Sequence, residues 1–295
     1  MTVIKKPLNY LNNKDILKEI HLSKNTYCSY REPEDHQYDY IIDYEEGVSL
    51  ENSLAIALRP EVIQKAKENR AYRLGVESGT KIDPSTIDHI DLVFRVMTWD
   101  HIPLAPKQAR KVDKKKSARE LFEFDLDEEV TYEDLDDPKL NKEMGMNDMS
   151  HVRVNFPPFQ HFRYAEAGNQ MYCVGKSHWK GDIYTGHFDK DKGQITNKLA
   201  KMYLMLCEKY AMRFNWRGYT YNDEMRGAAI LQLTYVGLRF NEAKSSNPFA
   251  YYTAAITNSF CRVLNTEKKN QGIRDDILEA NGLNPSWSRQ FAEES

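Results

Sequence analysis

Three stretches toward the end of the chain repeat apolar residues every three or four positions, the spacing of a buried stripe along an α-helix. In the first, Ile195, Leu199, Met202, Leu206 and Tyr210 form the stripe, and Lys198, Lys201 and Lys209 point elsewhere. The NWRGY turn at 215–219 ends it. A second helix is expected from about 223 to 240, with Met225, Ala229, Leu233, Val236 and Phe240 on one face. Its small residues Gly227, Ala228 and Ala229 would let another helix approach closely. Asn247 and Pro248 then supply a cap and a proline at the first helical position. The third helix is expected to run to about Thr266, with Phe249, Tyr252, Ile256, Phe260 and Val263 facing the core. A shorter amphipathic helix is expected at 13–24, capped by Asn13, with Asp15 in its first turn and Ile16, Leu17, Ile20 and Leu22 as its stripe.

The middle of the chain lacks this period. From 25 to 110 the pattern reads as a mixed fold, in which LVFRVMTW (92–99) alternates like a strand. Residues 111–150 carry few apolar side chains and strong charge blocks, as a flexible arm or linker does. Residues 151–194 are rich in aromatics, glycine and histidine, and are expected as an irregular layer. Residues 195–273 form the helical domain and 274–295 a tail. The fold class expected is therefore mainly α, with a long mixed or irregular insertion between the N-terminal helix (1–24) and the helical domain.

Composition changes this picture little, and charge changes it more. The 295 residues carry a formal net charge of -3, a mean hydropathy of -0.70 and 29% charged residues. No apolar run approaches the ~18–20 residues of a membrane span, and no apolar signal core opens the chain. The four cysteines are scattered, as reduced thiols in a cytoplasm are. The charge is segregated: a basic run at 107–119 precedes a dense acidic block at 120–137. That block, with Phe122, Phe124 and Tyr132, could mimic DNA in a basic channel. His151, His161, Cys173, His178, His187 and Cys207 do not have the spacing of a common zinc module, and no metal or other cofactor is expected. Nor does the sequence gather the acid–base residues of an enzyme.

On a wheel of the third helix, Tyr251, Ala254, Asn258, Arg262 and Asn265 fall opposite the core face. A base could stack on the ring, the amide could read a base edge, and the guanidinium could pair with a phosphate. Lys268, Lys269 and Arg274 extend the charge. A solvated face with one incidental tyrosine gives the same pattern, and spacing does not choose between them.

The order of the motifs adds a family resemblance. A helix with EM-R-GAA and VGL-RF, a short polar loop, an NP-F-A-Y helix and a basic tail resemble region 2 of the sigma-70 class of bacterial transcription initiation factors. YLNNKDILKEI (10–20), RFNWRGYT (213–220) and NPFAY (247–251) are similar to the late-transcription sigma factors of T4-type bacteriophages, and the insertion at about 25–190 fits a longer version from cyanobacterial phages.

The resemblance implies a sigma region 2-like domain against which the N-terminal helix packs. It implies that the chain binds host core RNA polymerase in the host cytoplasm and has no catalytic residues. Asp223, Glu224, Ala228, Leu231 and Gln232 would grip the clamp helices of the largest subunit. Tyr251, Tyr252, Ala254, Asn258, Arg262, Lys268 and Lys269 would meet a TATA-like −10 element of late promoter DNA and support its opening. Ala254 and Ala255 stand where primary sigma factors carry a tryptophan wedge. After Gln271 too little chain follows for a helix-turn-helix reading a −35 element. In the phage family a coactivator and the DNA sliding clamp make up for this, and here Trp287 and Phe291 would be the clamp-binding tail; a frayed terminus reads the same way. Two rival readings are a polymerase-binding regulator that does not read promoter bases and a nucleic-acid-processing enzyme.

Overall fold

The computed structural model describes residues 11–43, 49–104, 151–165 and 170–293. The expected charged arm, its acidic block and the first residue of the YLNNK motif lie outside them. The chain divides into two compact units, one of Met1–Ser23, Ile195–Phe240 and Ser245–Ser295, the other of Lys24–Gln194 and Asn241–Lys244.

The first unit is helical. Helix α1 (Asn13–Asn25) begins in it, and α4 (Asn197–Ala211), α5 (Asn222–Val236), α6 (Pro248–Ala280) and α7 (Trp287–Glu293) complete it. Ile16 and Ile20 of α1 are buried as expected, whereas Leu22, two residues past Ile20, is exposed. The cap of α1 is Asn12, whose side chain accepts the Asp15 amide at 2.7 Å; Asn13 accepts instead from the Phe249 amide at 3.1 Å. Thr196 caps α4 through the Leu199 amide, and Glu19 binds the Thr196 hydroxyl and the Lys198 ammonium at 3.1 and 2.8 Å. These bonds fasten the start of α4 to α1.

The expected stripes are buried in α4 and α5 from Leu199 to Tyr210 and from Met225 to Val236. A 3-10 turn, Gly237–Arg239, follows α5. Here a side chain would not fit: a Cβ on Gly237 would collide with the Tyr203 phenol. That phenol lies 3.2 Å from the Tyr252 hydroxyl, which donates to the Gly237 carbonyl at 2.9 Å. Of the three small residues, Gly227 faces open space and Ala229 is fully buried, so only the Ala229 side of the stripe lies against the rest of the unit.

The second unit is built on a five-stranded mixed sheet in the order β1-β5-β4-β3-β2. Its strands are β1 (Cys28–Tyr30), β2 (Tyr40–Ile42), β3 (Phe94–Met97), β4 (Phe159–Tyr164) and β5 (Met171–Ser177); β6 (Trp179–Lys180) and β7 (His187–Phe188) form a separate ribbon. Among the described residues only the β2–β3 pair is parallel. Helices α2 (Leu50–Ala57) and α3 (Pro60–Ser78) cover one face, over Ile42, Phe94, Val96, Phe162 and Tyr164. Asp39 ties α3 down, pairing with Arg73 at 2.7 Å and accepting the Val93 amide at 2.9 Å.

Among the described residues, seven α-helices and a small mixed sheet make the class α and β together rather than mainly α. LVFRVMTW contains β3, as its alternation predicts. The 151–194 stretch, expected as an irregular layer, supplies β4 and β5, two adjacent strands of the sheet, between loops. In β4 both faces are buried, so no polar and apolar alternation marks it as a strand; β5 is buried at Val174, Gly175 and Ser177.

Candidate nucleic-acid interface

Helix α6 starts where the Asn247 side chain accepts the Ala250 amide at 3.1 Å, with Pro248 at its first turn. Tyr252, Ile256, Ser259 and Phe260 are buried along one side. On the other, Ala254, Asn258, Arg262, Asn265 and Lys269 are exposed. Asn258, Arg262, Asn265 and Lys269, at i, i+4, i+7 and i+11, line one shallow groove with Cys261 and Thr266. At ~1.5 Å rise per residue this line extends ~16 Å. It offers two side-chain amides for hydrogen bonds and two cations for phosphates. Lys268 is also exposed, beside the line.

Tyr251 and Phe249 differ from the wheel, and Tyr252, which the wheel placed in the core, differs from the DNA contact that the resemblance implies. Tyr251 is half-buried, its hydroxyl donating to the Val236 carbonyl at 3.0 Å and its ring 5.6 Å from that of Phe240. Its phenol is thus held against the end of α5 rather than standing free in the exposed line. Tyr252 is a core residue, fully buried and perpendicular to the Tyr203 ring at 5.1 Å, so it offers no face to a base. Phe249, expected in the core, is 37% exposed because it sits in the first turn, ahead of where the α6 stripe meets α5. Ala255 is half-buried and Ala254 exposed, so neither supplies a wedge.

The expected polymerase-contacting residues lie along the outer side of α5. Asp223, Glu224 and Leu231 are exposed, and Ala228 and Gln232 half-buried. Asp223 pairs with Arg226 at 3.0 Å.

Helix α6 runs to Ala280, well beyond Thr266. It stops where Gly282 takes φ +69°, the Leu283 amide bonding to the Leu278 carbonyl and the Gly282 amide to that of Glu279. The chain then folds back. The Asp275 carboxylate accepts the Ser286 amide and hydroxyl at 2.8 and 2.7 Å, bonds that hold its pKa below the usual carboxylate value. Arg289 pairs with Asp276 and Glu279. Trp287 and Phe291 are therefore carried on an anchored helix, 72% and 49% exposed, their rings 4.7 Å apart.

Sequence reading missed a buried polar cluster in the second unit. The Arg95 guanidinium lies between the Tyr38 and Phe159 rings at 4.0 and 3.8 Å and donates to His161 Nε2 at 2.9 Å. His161 Nδ1 in turn donates to the Asp35 carbonyl at 2.7 Å. Burial, then the arginine charge, holds the His161 pKa well below its ordinary value. Lys24 and Glu242 form a second buried pair at 2.7 Å. Burial lowers the lysine pKa, and the charges of Lys24 and Arg95 hold the Glu242 carboxyl down against its own burial. His101 and His178 are pushed down by burial to about 4 and about 3. An arginine in the middle of an alternating strand, LVFRVMTW, was the one visible signal. No group of three metal-ligating side chains occurs among the described residues.

No protein-family model, curated protein or solved structure matches this chain. Among the described residues no helix is long and apolar enough to cross a membrane.

Proposed function

We propose that this chain is a phage-type late sigma factor, which binds host core RNA polymerase in the host cytoplasm and directs it to a TATA-like late promoter element. The observation that supports this reading most is the amide and cation line of Asn258, Arg262, Asn265 and Lys269, open along the outer side of α6. A helix that presents amides and cations at i, i+4, i+7 and i+11 is suited to a groove and its flanking phosphates. The resemblance in motif order assigns three of these, Asn258, Arg262 and Lys269, to promoter DNA. In this reading Asp223, Glu224 and Leu231 meet polymerase, while Trp287 and Phe291 meet an accessory partner. The chain acts by positioning, with no chemistry of its own.

Tyr251 favours a second reading. With its hydroxyl bonded to Val236 and Tyr252 in the core, neither tyrosine offers an open ring to a flipped base. A polymerase-binding regulator that does not read bases needs no such ring. Run-off transcription with host core polymerase and a late-promoter template separates the two. A sigma factor makes initiation promoter-specific, and Asn258→Ala with Arg262→Ala removes that specificity while core binding persists. A regulator leaves promoter choice unchanged.

A further inference from the structure

A second surface of the helical unit has a different character from the α6 line. Leu206, Lys209, Tyr210 and Arg213, at i, i+3, i+4 and i+7, line one side of a cleft of about 460 Å3, Phe249 and Ile256 line the other with Thr253 between them, and Leu11, Asn12 and Asn13 at the start of α1 complete its wall. Each stripe extends ~10 Å along its helix, and the volume lies in the ~300–1,000 Å3 range of ligand sites. Two helix faces bounding a trough receive a chain segment in the way amphipathic grooves receive peptides.

The floor is apolar. Leu206, Tyr210 and Ile256 are buried beneath it, and Phe249 presents an open ring. The rim is cationic: Lys209 and Arg213 line the cleft, and no carboxylate does. The Arg213 guanidinium sits over the Tyr210 ring at 4.4 Å, which holds its charge at the mouth, and no carboxylate among the described residues pairs with it. Arg213 is exposed, and its neighbour Phe214 is 86% exposed. Apolar floor and cationic mouth together select a ligand of the complementary kind.

We infer that this cleft docks a short acidic–apolar peptide segment of a partner protein, with two bulky apolar side chains seated over Phe249 and Ile256 and a carboxylate paired with Arg213. The inference is independent of the DNA reading, because it uses other residues and requires neither polymerase nor promoter.

Fluorescence anisotropy on the full chain tests it, with a fluorescein-labelled nonapeptide carrying one Leu and one Phe between Asp and Glu flanks. The expected result is saturable binding that weakens at least tenfold with Arg213→Glu and with Thr253→Trp, which fills the trough. Peptides with Ala in place of Leu and Phe, or Lys in place of the acids, should not bind. Arg213 is exposed, so its variant folds, and circular dichroism checks the tryptophan variant. Absent binding, or equal binding by wild type and the Arg213→Glu variant, overturns the inference. Equal binding of the Lys-flanked peptide does so too.

Discussion

The Tyr251 hydroxyl donates to the Val236 carbonyl at 3.0 Å, joining the start of α6 to the end of α5. This one bond fixes the aromatic nearest the exposed α6 line and satisfies a carbonyl where α5 ends. Tyr251→Phe should therefore cost about 1 kcal/mol of stability in urea unfolding and leave promoter-directed transcription intact. Lost transcription with unchanged stability would mean that the hydroxyl serves DNA instead.

Arg262 and Asn258 have distinct expected roles. Arg262→Ala should weaken the polymerase–promoter complex on all sequences and reduce the slope of log affinity against log salt by about 1. Asn258→Ala should relax preference at one base position, at about 1–3 kcal/mol of discrimination. Both residues are exposed, so thermal stability should not change. Competition binding at several salt concentrations reads both effects.

Gly237 is fixed by packing. Because Tyr203 occupies the space a side chain would need, Gly237→Ala should destabilise the helical unit by about 1–3 kcal/mol. Pairing it with Tyr203→Phe, which removes the colliding hydroxyl, should recover part of the loss. Urea midpoints measure both; an unaffected single variant would contradict this packing.

Histidines set the acid response of the sheet unit. His101 and His178 titrate near 4 and 3 when folded, against about 6.5 unfolded. Between those values the unfolded chain binds more protons, so stability is full above about pH 6.5 and falls as pH drops toward 4. From pH 7 to 5 the loss should be about 2 kcal/mol per histidine. Glu242, whose pKa is lowered, keeps its contribution across that window and loses it only at lower pH. His101→Gln should flatten the pH 7 to 5 decline in melting temperature by roughly one histidine's share. An unchanged slope would contradict the assignment.

Much of the helical unit was legible because its stripes have one period and its caps are local. Asn247–Pro248 marked the start of α6 correctly. Its end was misplaced: the polar run after Thr266 reads as a tail, but charged residues propagate a helix well. The true stop is Asn281–Gly282, followed by Pro285, a signal of the ordinary kind that lay further along. The return of α7 depends on Asp275 meeting Ser286, a pairing that neither residue announces. The wheel placed Asn258, Arg262 and Asn265 outward, as found, but could not see that the Val236 carbonyl would claim Tyr251. In the sheet unit, burial of both faces of β4 hid it as a strand. Arg95 could not be read as buried, because its tolerance there depends on Tyr38, Phe159 and His161, brought in from two other segments.

The most direct test of the central claim is run-off transcription by host core polymerase on a late-promoter template, with and without this protein. The account predicts a discrete promoter-initiated transcript only when the protein is present, lost on combining Asn258→Ala with Arg262→Ala. Equal initiation with and without the protein, or an unaffected double variant, would contradict it.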